Sequence, residues 1–365
     1  MNQEHGGKIF EFARQQGCRI GEVTDFSASI NPLGMSPMAV RAVQENLSSL
    51  VHYPDRNCTE LRNALAGRHD LNIDQILIGN GSTELIHLLP KALKLERVLI
   101  PVPSFSEYEA AAMLAGCAIR FLKLRDEENF TIRPADLIKA MQQGVDAVFL
   151  CNPNNPTGRL LHESDMLPVL EMAKEEGIRI ILDEAFVDYA ERASMIRETD
   201  RYPNLIVIRS FTKFYGMPGL RVGYLAADEA VIPNLEKFKP PWSVNHLAAA
   251  AATASLMDES YIEESRRLIE NERAYLSGVF SEIPGVTVFP SSANYLLLKL
   301  SEVSFQMKDV ENTLARERIL VRNCGSFRGL SERYIRVAVK SRADNEKLVR
   351  LLDGVCSRQR TGTFP

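Results

Sequence analysis

The chain lacks the features that would assign it quickly to several common classes. Its six cysteines (Cys18, Cys58, Cys117, Cys151, Cys324 and Cys356) contain no CxxC pair, which argues against a zinc ribbon or a disulfide frame. Several lie in apolar runs and read as reduced thiols of a cytoplasmic protein with no metal site. No lysine- or arginine-rich block stands out against a net charge of −4, so neither nucleic acid nor an anionic membrane is an expected partner. Long hydrophobic runs are missing too: the most apolar stretch, residues 246–257, is too short and alanine-rich to span a bilayer. The opening MNQEHGGKIFEFARQQG carries no apolar signal segment, and repeats and low-complexity segments are absent. What remains is ordinary globular composition, 45% hydrophobic and 25% charged, at a length of 365 residues that suits two lobes.

Short apolar, β-rich runs alternate with helical patterns through the middle of the chain. The runs at 75–80, 97–101, 146–152, 179–184, 204–210 and 221–227 read as buried strands. Amphipathic segments such as STELIHLLPKAL lie between several of them, which predicts a mainly parallel sheet with helices on both faces. From Trp242 the pattern changes to two long helices and then β-rich runs with helices between, an α+β lobe. The expected division is an arm with part of the small lobe at 1–30, a large lobe at 31–245 and a small lobe at 246–365.

In such sheets ligands gather at the carboxyl ends of the strands, and the unusual residues of this chain cluster there. GNGSTEL (79–85) sets two glycines before Ser82 and Thr83 at a helix start, where free N–H groups and the helix dipole attract an anion. A plain glycine turn with Ser82 as N-cap satisfies the same residues; a capping box would need an acid or amide where Leu85 stands. In DEAFVDY, Asp183 ends a strand and needs a partner if buried: a helix cap, a facing arginine, or a protonated heterocycle nitrogen. NPNNPTG (152–158) is a turn by every local rule and would present a rigid amide. In SFTKFYGMPGLRVGY (210–224), Lys213 stands among Phe211, Phe214 and Tyr215. Apolar surroundings lower a lysine's pKa and make it an amine nucleophile for a carbonyl. Arg221 adds a positive charge to the anion site formed by Ser82, Thr83 and Ser210.

The order and spacing of these motifs, from DFSASINPLG (25–34) to YIRVAVKS (334–341), resemble the fold type I pyridoxal-phosphate (PLP) enzymes of the aspartate aminotransferase superfamily. The resemblance implies an α/β fold with a large, mainly parallel seven-stranded sheet domain and a small α+β domain. It implies that Lys213 is the catalytic residue and holds PLP as a Schiff base. Asp183 would pair with the pyridine nitrogen, Asn155 would bond the ring hydroxyl and Phe105 would stack on the ring. Ser82, Thr83, Ser210 and Arg221 would bind the cofactor phosphate. Tyr53 would reach the phosphate of a neighbouring subunit, so a homodimer with shared active sites is expected.

Two subfamilies are most similar, histidinol-phosphate aminotransferase and threonine-phosphate decarboxylase of cobalamin synthesis. Both take a phosphorylated amino compound, for which Arg322 and Arg336 supply bidentate grips; as local residues, both could equally close ion pairs. Three features favour the decarboxylase. They are the HGG opening with His5 and Gly6 approaching substrate phosphate, DFSASINPLG with Asn31 placed for substrate, and Phe186 where the aminotransferases carry tyrosine. KPPWSVN is a further likeness; Lys8 and Lys340 depart from the pattern. The implied reaction is decarboxylation of L-threonine O-3-phosphate. Transamination of histidinol phosphate, serine-phosphate decarboxylation and a non-catalytic PLP-binding regulator are the alternatives.

Overall fold

The computed structural model describes residues 6–301 and 305–361, with side chains described to residue 356. The chain enters through helix Ile9–Gln16 and strand β1 (Thr24–Asp25). It then builds one sheet from β2 (Ile76–Gly79), β3 (Arg97–Val102), β4 (Ala118–Lys123), β5 (Ala147–Cys151), β6 (Arg179–Asp183), β7 (Leu205–Ser210) and β8 (Gly223–Ala227). Across the sheet the order is β2-β8-β7-β6-β5-β3-β4. β8 runs antiparallel to β2 and β7, and the remaining pairs are parallel. The expected sheet is therefore present. Its edge strand β4, AIRFLK, is not among the six runs read from the sequence, because it is largely exposed and carries Arg120 and Lys123.

Alternation along the strands decides what each face receives. Ile180, Leu182, Leu205 and Val207 join the core on one face of the sheet. Ile181, Ile206, Ile208, Phe149 and Cys151 join the core on the other. Helices Gly81–Ala92 and Ser106–Leu114 cover this second face with Leu85, Ile86, Leu89, Tyr108 and Ala111. By the same parity Asp183 and Ser210 emerge on the second face, whereas Arg209 turns to the first.

The small lobe holds β9 (Val286–Val288), β10 (Tyr295–Leu300), β11 (Ile319–Leu320), β12 (Arg322–Asn323) and β13 (Tyr334–Ala338). Four of them form an antiparallel sheet in the order β12-β13-β10-β9, and β11 pairs with β1 of the arm. Phe26, just after β1, is buried in the small-lobe core with Leu296, Leu298, Ile335 and Val337. Helix His246–Leu256, expected to open the small lobe, packs Ala248, Ala251, Ala252 and Leu256 into the large-lobe core beside Ala39, Leu61 and Leu65. Its alanines let it sit close to its neighbours. The changeover comes inside the 24-residue helix Glu259–Glu282: Tyr261 and Ile262 belong to the large core, and Ile269, Leu276 and Phe280 to the small one. Among the described residues no helix is long and apolar enough to cross a membrane.

Candidate active site

A cavity of about 780 Å³ opens between the lobes at the strand ends. Asp183, Lys213, Asn155, Phe105, Ser82, Thr83, Ser210, Arg221, Gly6, Arg322 and Arg336 all line it. Asp183 ends β6 and is buried. Its Oδ1 accepts the Ala185 N–H at 2.9 Å and its Oδ2 accepts the Tyr108 hydroxyl at 2.7 Å. Burial pushes this carboxyl up to about 6, against the pull of Tyr108, the Ala185 amide and the Lys213 charge. Lys213 follows β7 and is brought down to about 8 by burial, with Arg336 and Arg221 repelling its charge. A lysine and an aspartate therefore share one enclosure with their protonation states drawn toward each other. That is the pattern of a site in which protons move.

The anion end forms where β8 begins. A Cβ on Gly81 would fall 2.6 Å from Arg221 Nη2, and one on Gly223 would fall 2.6 Å from the Ser82 backbone nitrogen. These two glycines are required by close approach of a helix start, a strand and a guanidinium. Gly81 and Arg221 both adopt the left-handed backbone conformation, with φ of 73° and 60°. Glu84 ties the turn by accepting from the Asn80 N–H and from Ser243 Oγ. Ser82 and Thr83 are left at the first turn of the helix, beside Ser210. Main-chain donors, hydroxyls and a cation fit a phosphate monoester. The Lys213–Asp183 pair lies along the same cavity. This donor set fits PLP.

The small lobe closes the other end. Arg322 and Arg336 stand directly opposite each other across the antiparallel β12–β13 pair, so they share a face. Both are buried. Arg336 donates through Nη1 to Asn155 Oδ1 and through Nη2 to the Ser27 carbonyl at 2.8 Å; its buried Nε has no partner among the described residues. Arg322 donates to Ser326 Oγ at 2.7 Å and stacks over the Phe327 ring. The arm reaches the same place. A Cβ on Gly6 would meet the Ser27 carbonyl oxygen at 2.3 Å. The Gly7 N–H is held by Ser27 Oγ, which in turn donates to Asp25.

The family profile Aminotransferase class I and II matches residues 21–354 of this sequence. The chain belongs to the class I and II aminotransferase family. A threonine-phosphate decarboxylase of Salmonella typhimurium is 38% identical over 357 residues, 97% of each chain. Among solved structures, the histidinol-phosphate aminotransferase from Clostridium acetobutylicum has a TM-score of 0.85 at 34% identity, covering 91% of this chain and 99% of that one. The L-threonine-O-3-phosphate decarboxylase from Porphyromonas gingivalis has a TM-score of 0.82 at 29% identity, covering 90% and 98%.

Against this family pattern three expected residues stand apart. Asn31 is not on the cavity wall, which corrects its placement at the substrate. Its Nδ2 is taken up by the Phe214 carbonyl, Tyr261 Oη and Ser265 Oγ, and its N–H donates to the Lys213 carbonyl. It braces the segment that carries the lysine. Tyr53 is 83% exposed and lies against Trp242 with ring centroids 5.0 Å apart and the rings tilted, away from the cavity of its own chain. His5 lies outside the described residues. Lys8 and Lys340 do not line the cavity either. Conversely, the sequence reading missed Tyr108, Ser27 and Ser326. For Tyr108 a signal existed: in PSFSEY it follows Phe105 by three residues, the spacing that puts two side chains on one side of a helix.

Proposed function

We propose that the chain is a PLP-dependent decarboxylase converting L-threonine O-3-phosphate to (R)-1-amino-2-propanol O-2-phosphate, a step of cobalamin biosynthesis. The observation that carries the reading is the cross-strand pair Arg322 and Arg336, buried in one cavity with Lys213 and Asp183. Like charges directly opposite each other on a sheet destabilise it. Burying them together makes sense where a doubly charged anion sits between them. The arm adds to this, because Gly6 comes within reach of Arg336 and would bring the Gly6–Gly7 backbone to the same anion.

Bound through Lys213, PLP supplies an electron sink for the pair left at Cα when a bond there breaks. The chain's residues do the rest. Ser82, Thr83, Ser210 and Arg221 would hold the cofactor phosphate, Asn155 and Asp183 its ring substituents, and Phe105 one ring face. Asn155 Oδ1 already accepts from Arg336, which leaves the Nδ2 to donate. Arg322 and Arg336 grip the substrate phosphate and so leave the Cα–carboxylate bond as the one to be broken. Once the substrate amine has taken its place on the cofactor, Lys213 Nζ, brought down to about 8 by burial, would be free to carry the proton that Cα takes up as CO2 leaves. Phe186 is buried on the cavity wall with Lys213 Nζ 5.9 Å from its ring centroid, and it offers no hydroxyl to compete for that proton.

Two copies would complete the sites. Leu47, Leu50, Val51, Tyr53 and Trp242 are exposed apolar side chains at or beside the tyrosine expected to cross to a neighbour, and such a patch calls for a partner. We assign that partner as a second copy of this chain.

The deciding experiment mixes purified holoenzyme with L-threonine O-3-phosphate and follows CO2. Release of one CO2 per amine product, with no need of glutamate, is the expected result. Glutamate-dependent conversion of imidazole acetol phosphate without CO2 would instead identify an aminotransferase and sink the proposal.

A further inference from the structure

We propose that Tyr108 is a positioning residue for Asp183: its hydroxyl keeps the carboxylate ionised and aimed into the cavity, where a cofactor's ring nitrogen would meet it. The inference rests on the cofactor reading above and concerns a residue to which that reading gives no role.

Geometry fixes the direction of the bond. Asp183 Oδ2 lies 2.7 Å from the Tyr108 hydroxyl, and an ionised carboxylate can only accept, so the tyrosine donates. The tyrosine cannot turn away. It is fully buried, stacked on Phe149 at 5.4 Å with 13° between the planes, and held edge-on by Phe105 at 5.7 Å. The other carboxylate oxygen is held by the Ala185 N–H. Asp183 thus has two fixed donors, one from its own chain direction and one from the helix start that also presents Phe105 to the cavity.

The donor matters because burial, the largest influence at that spot, favours a neutral acid. Burial raises the Asp183 carboxyl to about 6 even with Tyr108 in place. The groups facing it are Cys151 at the end of β5, Lys213 after β7 and Tyr295 of β10. Burial pushes the Cys151 thiol and the Tyr295 hydroxyl upward, so neither supplies charge. Lys213 is the cation that pulls on Asp183, and its own proton is loosely held. With the tyrosine oxygen removed, Asp183 would keep one amide donor and bind a proton near neutral pH. A neutral carboxyl cannot hold a proton on a ring nitrogen by charge, and the electron sink would weaken.

The test uses the apoprotein first. Tyr108→Phe removes one oxygen and keeps the ring that packs on Phe149. With carbon-13-labelled aspartate, the Asp183 carboxyl is titrated by NMR between about pH 4 and 9. The variant should raise its midpoint by about one pH unit or more, since a hydrogen bond to the charged form has been lost. PLP binding at neutral pH should weaken by about tenfold, the equivalent of one pH unit. In an Asp183→Asn background the same change should matter less than about twofold. Incorporating 3-fluorotyrosine at position 108, a stronger donor of the same shape, should lower the midpoint and covers the case in which the phenylalanine variant misfolds. An unmoved midpoint in both variants, or a loss of PLP affinity undiminished beside Asp183→Asn, overturns the proposal. Because the titration involves neither cofactor nor substrate, its outcome is separate from the choice of reaction.

Discussion

Lys213 gives the most direct prediction from a single side chain. Its pKa is depressed from 10.5 to about 8, so half of the amine is neutral near pH 8 and the neutral fraction grows as pH rises. The rate at which apoprotein captures PLP, followed by absorbance, should climb with pH and flatten just above pH 8. A rate still rising at about pH 10, where an ordinary lysine titrates, would mean that the cavity does not perturb this amine. Lys213→Ala should take up no borohydride-reducible cofactor at all. The lysine was legible in the sequence because three aromatic residues surround it within three positions on either side. Asn31 was not, because its three side-chain partners lie about 180 to 230 positions away, and only folding shows that they use up the amide. Tyr108 was missed for a related reason: the partner that gives it meaning, Asp183, is 75 residues distant.

Behind the strands that carry Asp183 and Ser210 lies a second polar cluster, delivered there by alternation. Arg209 precedes Ser210 on β7 and faces the opposite side of the sheet, where it makes a bidentate bond to Glu191 at 3.0 and 2.7 Å. Its guanidinium also stands 3.6 Å from Glu184 and 3.8 Å from Asp188. Arg209 is 2% exposed, so it is the central buried cation that braces the ends of β6 and β7 from behind. Burial raises Glu184 to about 7 and Asp188 to about 6, against the pull of Arg209. In Glu191 burial is outweighed by the charge and hydrogen bonds of Arg209, which hold it at about 2. Arg209→Met strands three carboxylates, and breaking a buried ion pair from one side costs about 3–5 kcal/mol. The sign with pH follows. Carboxyls raised in the folded state favour folding below their unfolded pKa and lose that contribution as pH rises through 6 to 7. Without Arg209 they rise further, so the stability deficit, measured by urea unfolding, should be larger at pH 8 than at pH 5. An equal deficit at both would show that the carboxylates do not depend on this arginine. The strands of this cluster were readable as apolar runs, whereas the exposed edge strand β4 and the placement of the alanine-rich helix 246–256 were not. Neither carries a strong pattern of its own; their neighbours decide where they lie.

The cavity draws on the arm, both lobes and, on the proposed reading, a second copy of the chain. Residues that meet there come from positions 6 to 336, which is why local motifs identified the PLP end more readily than the substrate end. The large-lobe residues follow β2, β3, β5, β6 and β7 in turn, and their order survives in the sequence. The substrate end instead depends on β12 and β13 being set in register, and no short motif reports that Arg322 faces Arg336. On the proposed reading, Tyr53 links the site to assembly. It is exposed in the single chain beside Val51, which is 82% exposed, and Leu50. If these side chains are covered by a second copy, introducing a charge there buries an unpaired ion in the interface, which is costly. Val51→Asp should then shift the protein from dimer to monomer in sedimentation at micromolar concentration, and PLP retention should fall with it. Tyr53→Phe makes the complementary test. It keeps the apolar contact, so the dimer should persist while cofactor affinity drops by about fivefold to tenfold, the loss of one hydrogen bond to a charged group. A monomeric wild-type chain that binds PLP as tightly as Tyr53→Phe would place the tyrosine outside the site altogether.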